Sequence, residues 1–285
     1  MLDIIISKTI GFCFGVERAV RMAEELLKKD EEVYITGDLI HNEEEMKRLE
    51  NLGLKTLDIN ADSWPDLSHS TVLIRAHGIP VPMRNKLKEK ANKVVDATCP
   101  VVNNVAYLMS KEKENGYKIF LFGREGHAEV EYLKSCVDDV KVVNFEKIPK
   151  SPIKVQKVAL FSQTTMDTDG FKKMAKYFLD SMKSFSDFHI HNTICSVTVD
   201  RENEVKRLAA TTDTCIVIGG KKSSNTKKLY EIAKNMNKNS HMILNASEIK
   251  EEWIMSAKKV GICSGTSTPS KAIEGVVERL KKIKN

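Results

Sequence analysis

The chain has 285 residues, of which 41% are hydrophobic and 29% charged, and its formal net charge is +6. That length can bury a sizeable core and suits two or three domains better than one. No apolar run approaches the ~20 residues of a membrane-spanning helix, and no basic stretch is interleaved with aromatics, which make up 6% of the chain. We therefore expect neither a membrane nor a nucleic-acid partner.

The opening run Met1-Leu2-Asp3-Ile4-Ile5-Ile6-Ser7 carries an acid early and is too short for the core of a signal peptide. A cytoplasmic location is the expectation, and there six cysteines argue for thiols, metal ligands or catalysis rather than a disulfide framework. The mild positive charge reads as a Lys-rich solvated surface that also favours an anionic substrate. The tail Arg279 to Lys284 reads as a frayed helix end.

Apolar runs then appear in order: Ile4–Ile6, Val33–Ile35, Val72–Ile74, Val94–Val95, Ile119–Phe122, Val158–Phe161, His189–Ile190, Cys215–Ile218 and Val260–Cys263. They are short and rich in β-branched or aromatic residues, which predicts strands. Helical stretches lie between them. After Cys13, the residues Val16, Ala19, Val20, Ala23, Leu26 and Leu27 fall on one helical face. The alternation predicts an α/β protein with mostly parallel sheets. Three times a β-like run leads through a cysteine into a helix, at Cys13, Cys99 and Cys195, with gaps of 86 and 96 residues. This weak repeat suggests three small α/β domains. The expected bounds are 1–97, 98–193 and 194–285, with the C-terminal tail returning towards the first.

In parallel α/β sheets ligands gather beyond the carboxyl ends of the strands. The residues there are polar and repetitive in type. Thr36-Gly37-Asp38-Leu39-Ile40-His41-Asn42, Arg75-Ala76-His77-Gly78 and Gly126-His127-Ala128-Glu129 each place a histidine after a strand. Lys222-Ser223-Ser224-Asn225-Thr226 and Gly265-Thr266-Ser267-Thr268-Pro269 open helices with hydroxyl and amide side chains. Such clusters cap helices; they also aim N–H groups and hydroxyls at a phosphate. With three strand-end imidazoles, they favour a phosphorylated ligand. The nucleotide P-loop and the Gly-rich dinucleotide fingerprint are both missing. Glu129 could serve as a proton donor if buried. His189 and His191, in the alternating run Phe188-His189-Ile190-His191, read as structural, and His69 and His241 carry no signal.

Cys13, Cys99 and Cys195 sit at strand-to-helix turns, where a helix N-terminus favours a thiolate. Three convergent thiolates could bind an iron–sulfur cluster with one iron open, though no Cys-x-x-Cys is present. Cys136, Cys215 and Cys263 read as structural. On the residues alone, two other readings stand beside a metalloenzyme: a metal-free phosphate-ester isomerase or transferase using the histidines, and a phosphometabolite-binding protein without catalysis.

Nine motifs in one order carry a closer identification: Gly11-Phe12-Cys13-Phe14-Gly15-Val16, Ile40-His41-Asn42, Ala76-His77-Gly78, Asp96-Ala97-Thr98-Cys99-Pro100, Gly126-His127-Ala128-Glu129-Val130, Gln163-Thr164-Thr165, Thr193-Ile194-Cys195, Ser223-Ser224-Asn225, and Gly265-Thr266-Ser267. The chain resembles the IspH/LytB family of 4-hydroxy-3-methylbut-2-enyl diphosphate reductases over nearly its whole length. The resemblance implies a monomer of three α/β domains in a pseudo-threefold trefoil around a central cavity. It implies a 4Fe-4S cluster on Cys13, Cys99 and Cys195 whose open iron takes the substrate's alcohol, and ferredoxin or flavodoxin as electron donor. It implies a diphosphate held by His41, His77, His127, Ser223, Asn225 and Ser267, with Ser224 beside them. Glu129 would deliver protons, Thr164 would bond the substrate hydroxyl and Thr165 would lie nearby. The products would be isopentenyl and dimethylallyl diphosphate. The chain departs from the family pattern at Ala128, where proline is usual, at Asn192, where an acid is common, and at Lys222, where asparagine is more familiar. The Asn192 difference puts any salt bridge beside the third cysteine turn in doubt.

Overall fold

The structure, a computed structural model, describes residues 2–29, 32–148, 156–182 and 187–283; Lys284 of the expected frayed end lies outside them. Strands and helices alternate: β1 (Asp3–Ile6), α1 (Phe14–Leu27), β2 (Val33–Ile35), α2 (Glu43–Asn51), β3 (Leu54–Thr56), β4 (Thr71–Ile74), α3 (Val81–Lys90), β5 (Lys93–Asp96), α4 (Pro100–Glu114), β6 (Lys118–Phe122), α5 (Ala128–Cys136) and β7 (Lys141–Val143). They continue with β8 (Lys157–Ser162), α6 (Thr168–Ser181), β9 (Asp187–Ile190), α7 (Ser196–Thr211), β10 (Thr214–Ile218), α8 (Ser224–Met236), β11 (Ser240–Ile243), β12 (Lys259–Ser264) and α9 (Ser270–Ile283). Among the described residues no helix is long and apolar enough to cross a membrane.

The strands form three four-stranded parallel sheets, ordered β3-β2-β4-β5, β7-β6-β8-β9 and β11-β10-β12-β1. This is the α/β class expected from the alternation. In each sheet the order is second, first, third, fourth along the chain, except that β1 supplies the fourth place of the last sheet by pairing with β12. The cysteine repeat follows this plan, because Cys99, Cys195 and Cys13 each come after the fourth strand of a sheet.

Burial follows position in the sheet. The central strands β4, β10, β8 and β12 are buried along nearly every residue, as parallel strands covered on both faces must be. Among the edge strands, β1, β5 and β9 have no fully buried residue, and β3 and β7 bury one each, Leu54 and Val143. On α1 the expected apolar face is the one covered: Ala19, Val20, Ala23 and Leu26 are buried. Each fully buried Leu or Ile stabilises the fold by roughly 1.5–3 kcal/mol relative to exposure.

The chain divides into two compact units. One comprises Met1–Glu24, Asp38–Gly53 and Ser196–Asn285; the other comprises Glu25–Gly37 and Leu54–Cys195. The core of the first lies about the β10–β12 sheet, with Ile216, Ile218, Val260, Ile262 and Val276 at its centre. The second holds separate cores about β4, with Val72, Ile74 and Leu87, and between α4, α5 and the β6–β8 pair, with Met109, Ile119, Leu133 and Phe161.

Candidate active site

In all three sheets the order reverses between the first and third strands, which opens a crevice at their carboxyl ends. The strands flanking these points are β2 and β4, β6 and β8, and β10 and β12. The turns after them carry His41, His77, His127, Thr164, the Ser223–Asn225 cluster and Ser267, so every expected substrate residue follows a switch-point strand.

In the Leu54–Cys195 part of the chain, Glu129 is the centre of the arrangement. It stands in the first turn of α5 and is 1% exposed. Its Oε1 accepts the Thr164 backbone N–H at 2.7 Å, and its Oε2 accepts the Thr164 hydroxyl at 2.8 Å. Burial pushes the carboxyl up to about 7, against the pull of those two hydrogen bonds. Thr164 also links to a thiol turn, since its carbonyl accepts the Cys195 N–H at 2.9 Å. Next to it, Thr165 Oγ1 accepts from the Gln163 side-chain amide at 3.0 Å.

His127 caps α5. Its Nδ1 accepts the Glu129 N–H at 3.2 Å, which assigns the ring proton to Nε2, the nitrogen left to donate. Ala128 therefore opens the helix without a proline, because the histidine supplies the cap. The His77 ring meets the His127 ring edge to face at 5.6 Å between centroids. Gly78 follows at φ +78°, with Tyr132 packed so close that a Cβ would lie 2.7 Å from its Cγ.

Two of the expected thiols lie in this unit. Cys99 is the residue before α4, its N–H bonded to the Ala76 carbonyl at 2.9 Å and its carbonyl accepting the Asn103 N–H at 3.0 Å. The turn before it is closed by Asp96, whose Oδ1 accepts the Thr98 N–H at 2.8 Å. Asn192 does the corresponding work before Cys195, accepting the Ile194 N–H at 3.4 Å. The third turn thus keeps its side-chain-to-backbone bond while carrying no charge. Thr193 adds a clamp to β8 through the Ser162 backbone.

In the other unit, Cys13 directly precedes α1. Its N–H bonds to the Thr266 carbonyl at 3.1 Å, and its carbonyl accepts the Glu17 N–H at 2.9 Å. Gly11, at φ +84°, turns the chain towards it. Arg201, 3% exposed, holds that turn by donating to the Gly11 carbonyl at 2.6 Å and the Ser264 carbonyl at 2.8 Å. Nothing in the sequence pointed to Arg201, which lies in mid-helix.

Ser223 caps α8, accepting the Thr226 N–H at 3.2 Å, and Ser224 is the first helical residue. Asn225 is 7% exposed and donates to Thr266 Oγ1 at 3.5 Å, and Ser267 is 9% exposed. The Gly220 backbone lies so close to His41 that a Cβ there would come within 2.4 Å of the His41 carbonyl oxygen. His41, Asp38, Asn42, Met46 and Lys222 line a cavity of about 190 Å³. Lys222 adds a cation there, and Asn42 caps α2 by accepting the Glu45 N–H at 3.0 Å.

The remaining cysteines differ in kind. Cys215 and Cys263 are fully buried in adjacent strands, and Cys263 Sγ donates to the Ile216 carbonyl at 3.5 Å. The neighbouring Cys215 and burial raise the Cys263 thiol well above its ordinary range. Cys136 ends α5 against the core, and burial raises its thiol too. None of the six forms a disulfide. The three at helix starts are half-buried thiols, a donor set that fits a cluster with one iron lacking a protein ligand.

A family model described as LytB protein matches residues 4–281. A protein of Aquifex aeolicus named 4-hydroxy-3-methylbut-2-enyl diphosphate reductase is 39% identical, covering 99% of this chain and 97% of its own length. One of the same name from Kosmotoga olearia is 38% identical, covering 98% and 95%. A solved structure of (E)-4-hydroxy-3-methyl-but-2-enyl diphosphate reductase, described as the terminal enzyme of the non-mevalonate pathway, has a TM-score of 0.75 at 40% identity, covering 99% of this chain and all of that one. The structure of the E-1-hydroxy-2-methyl-but-2-enyl-4-diphosphate reductase from Plasmodium falciparum has a TM-score of 0.86 at 26% identity, covering 97% and 87%. With its three parallel sheets matched in solved structures and its sequence matched almost from end to end, the chain belongs to the LytB family.

Proposed function

We propose that the chain is the oxidoreductase that removes the hydroxyl of (E)-4-hydroxy-3-methylbut-2-enyl diphosphate, giving isopentenyl and dimethylallyl diphosphate. Two electrons and two protons enter, the C–O bond breaks, a C–H bond forms and water leaves. The observation that carries the reading is the chain of contacts Glu129–Thr164–Cys195. A buried acid poised near neutrality is held by the residue whose carbonyl anchors one thiol turn.

Cys13, Cys99 and Cys195 would hold a 4Fe-4S cluster, which when bound would supply the electrons and a Lewis acid for the departing hydroxyl. Glu129, protonated in a large fraction of molecules near pH 7, delivers the proton that makes water the leaving group. Thr164 orients that carboxyl and would bond the substrate hydroxyl. His127 donates from Nε2 to the diphosphate, with His41, His77, Ser223, Asn225 and Ser267 as further donors; Ser224 and Thr165 lie beside them. Ferredoxin or flavodoxin delivers electrons in the cytoplasm to a monomeric enzyme.

The test is anaerobic iron and sulfide analysis with turnover on the hydroxylated C5 diphosphate. Cys13→Ser, Cys99→Ser and Cys195→Ser should each lose iron and activity, while Cys136→Ala keeps both. Glu129→Gln should keep the iron and lose about 10²–10⁴-fold in turnover. A colourless, iron-free preparation with full activity would refute the proposal in favour of a metal-free phosphate-ester enzyme.

A further inference from the structure

His189 in β9 and His191, one residue past its end and still bonded to the Leu160 carbonyl, share a face by the two-residue period of extended chain, and α4 lays Glu112 across them. The Glu112 carboxylate lies 3.0 and 3.1 Å from His189 Nδ1, and its Oε1 lies 2.7 Å from His191 Nε2. Among the described residues these three form a group whose ligand atoms all lie within 4.8 Å of one another. The Glu112 side chain is 11% exposed, with His191 at 26% and His189 at 43%. The group is thus built into the surface yet open to solvent on one side.

The surroundings offer acceptors to both nitrogens of His189. Tyr117 donates its hydroxyl proton to Asp187. Its oxygen is then an acceptor 3.0 Å from His189 Nε2, and Asp187 Oδ1 is a second acceptor at 3.5 Å. His189 thus has acceptors at both ring nitrogens, Tyr117 and Asp187 at Nε2 and the Glu112 carboxylate at Nδ1. With the same carboxylate also 2.7 Å from His191 Nε2, these acceptors make an electron-rich pocket that stabilises a cation, whether a proton or a metal ion. The rings are also fixed in plane. His189 stacks on Tyr117 at 4.3 Å and 24°, and His191 on Phe161 at 4.4 Å and 3°. A carboxylate and a phenol oxygen on the distal nitrogen of a histidine are the outer partners a metal-bound imidazole takes.

From these contacts we infer that Glu112, His189 and His191 form a binding site for a divalent transition metal of the Zn²⁺ class, separate from the cysteines. Two imidazole nitrogens and one carboxylate suit Zn²⁺ with water in the fourth position. Tetrahedral bonds of 2.0–2.1 Å set ligand atoms about 3.3 Å apart, so the present spacings open by a few tenths of an ångström to admit the ion. Glu112 lies 13 residues along α4 from Cys99, about 20 Å at 1.5 Å per residue, so the metal does not share that thiol. It braces the helix that starts at Cys99 against the strand that leads to Cys195.

The experiment uses the intact protein, purified anaerobically and stripped of loose metal by a chelator, and titrated with ZnCl₂ in a calorimeter. One binding event should weaken at least tenfold in Glu112→Gln and in His191→Ala and remain in Cys13→Ser. Asp187→Asn, which removes only an outer partner, should weaken it less. Zinc-edge X-ray absorption of the loaded wild-type protein should show a first shell of nitrogen and oxygen near 2.0–2.1 Å. A shell of sulfur near 2.3 Å, or equal binding by wild type and the Glu112 and His191 variants, would overturn the site.

Discussion

Replacing Glu129 by glutamine tests the buried acid directly, because the amide keeps the shape and cannot ionise. The carboxyl moves from an ordinary 4.5 to about 7 in the folded protein, chiefly through burial. At 1.36 kcal/mol per tenfold change in acidity this is worth about 3 kcal/mol. The sign follows from which state holds the proton. Between pH 4.5 and 7 the unfolded chain has released it and the folded protein has not, so wild-type stability falls as pH rises through this window and levels off above it. Glu129→Gln escapes that loss. At about 2 °C per kcal/mol for a chain of this size, the melting temperature of the variant relative to wild type should climb by about 6 °C from pH 4.5 to pH 8. All other titrating groups are common to both proteins and cancel. Melting curves in matched buffers read the difference, and any constant offset from the altered contact with Thr164 drops out. A difference that stays flat across this range would mean that Glu129 ionises normally and would remove the physical basis for its role as the acid.

Gly78→Ala and Gly126→Ala share a backbone φ of +78°, but the first Cβ would strike Tyr132 while the second meets nothing within 4 Å. Chemical denaturation should show a cost of about 1–2 kcal/mol at Gly126, from the left-handed backbone alone, and a clearly larger one at Gly78. Arg201→Met, which removes the donors to the Gly11 and Ser264 carbonyls, should cost at least about 2 kcal/mol and speed alkylation of Cys13, followed by mass spectrometry of the apoprotein. Lys222→Asn should weaken binding of inorganic diphosphate about two- to five-fold, as befits one exposed charge, with the loss shrinking at high salt; an unchanged affinity would place Lys222 outside the anion site.

The nine predicted strands are present because their apolar runs are long enough to stand out, and most of the clearest lie at sheet centres. The three strands with no such signal, Leu54–Thr56, Lys141–Val143 and Ser240–Ile243, are edge strands of three or four residues with polar side chains. Their pairing is set by the neighbour they join rather than by their own pattern. The strand-end rule picked out His41, His77 and His127 because each follows a central strand. It could not show how Glu129 is buried: that state depends on Thr164, 35 residues further on. His189 and His191 looked structural for a similar reason. Their alternation was visible, but Glu112 is 77 residues away from His189 and reaches it only through packing. Asn192 shows the reverse case, where a departure in charge conceals a preserved hydrogen bond.

The pairing of β1 with β12 has a consequence for the order in which the protein can be built. Asp3 lies opposite Lys259, so β1 leaves the ribosome long before its partner β12 and waits as an unpaired edge. The turn that presents Cys13 waits with it, because its anchors are Thr266, Ser264 and Arg201. Cys99 and Cys195 are framed by neighbours already made. A centre that needs all three thiols can therefore be loaded only once β12 has been made, and translation stalled before β12 leaves a product that cannot acquire it.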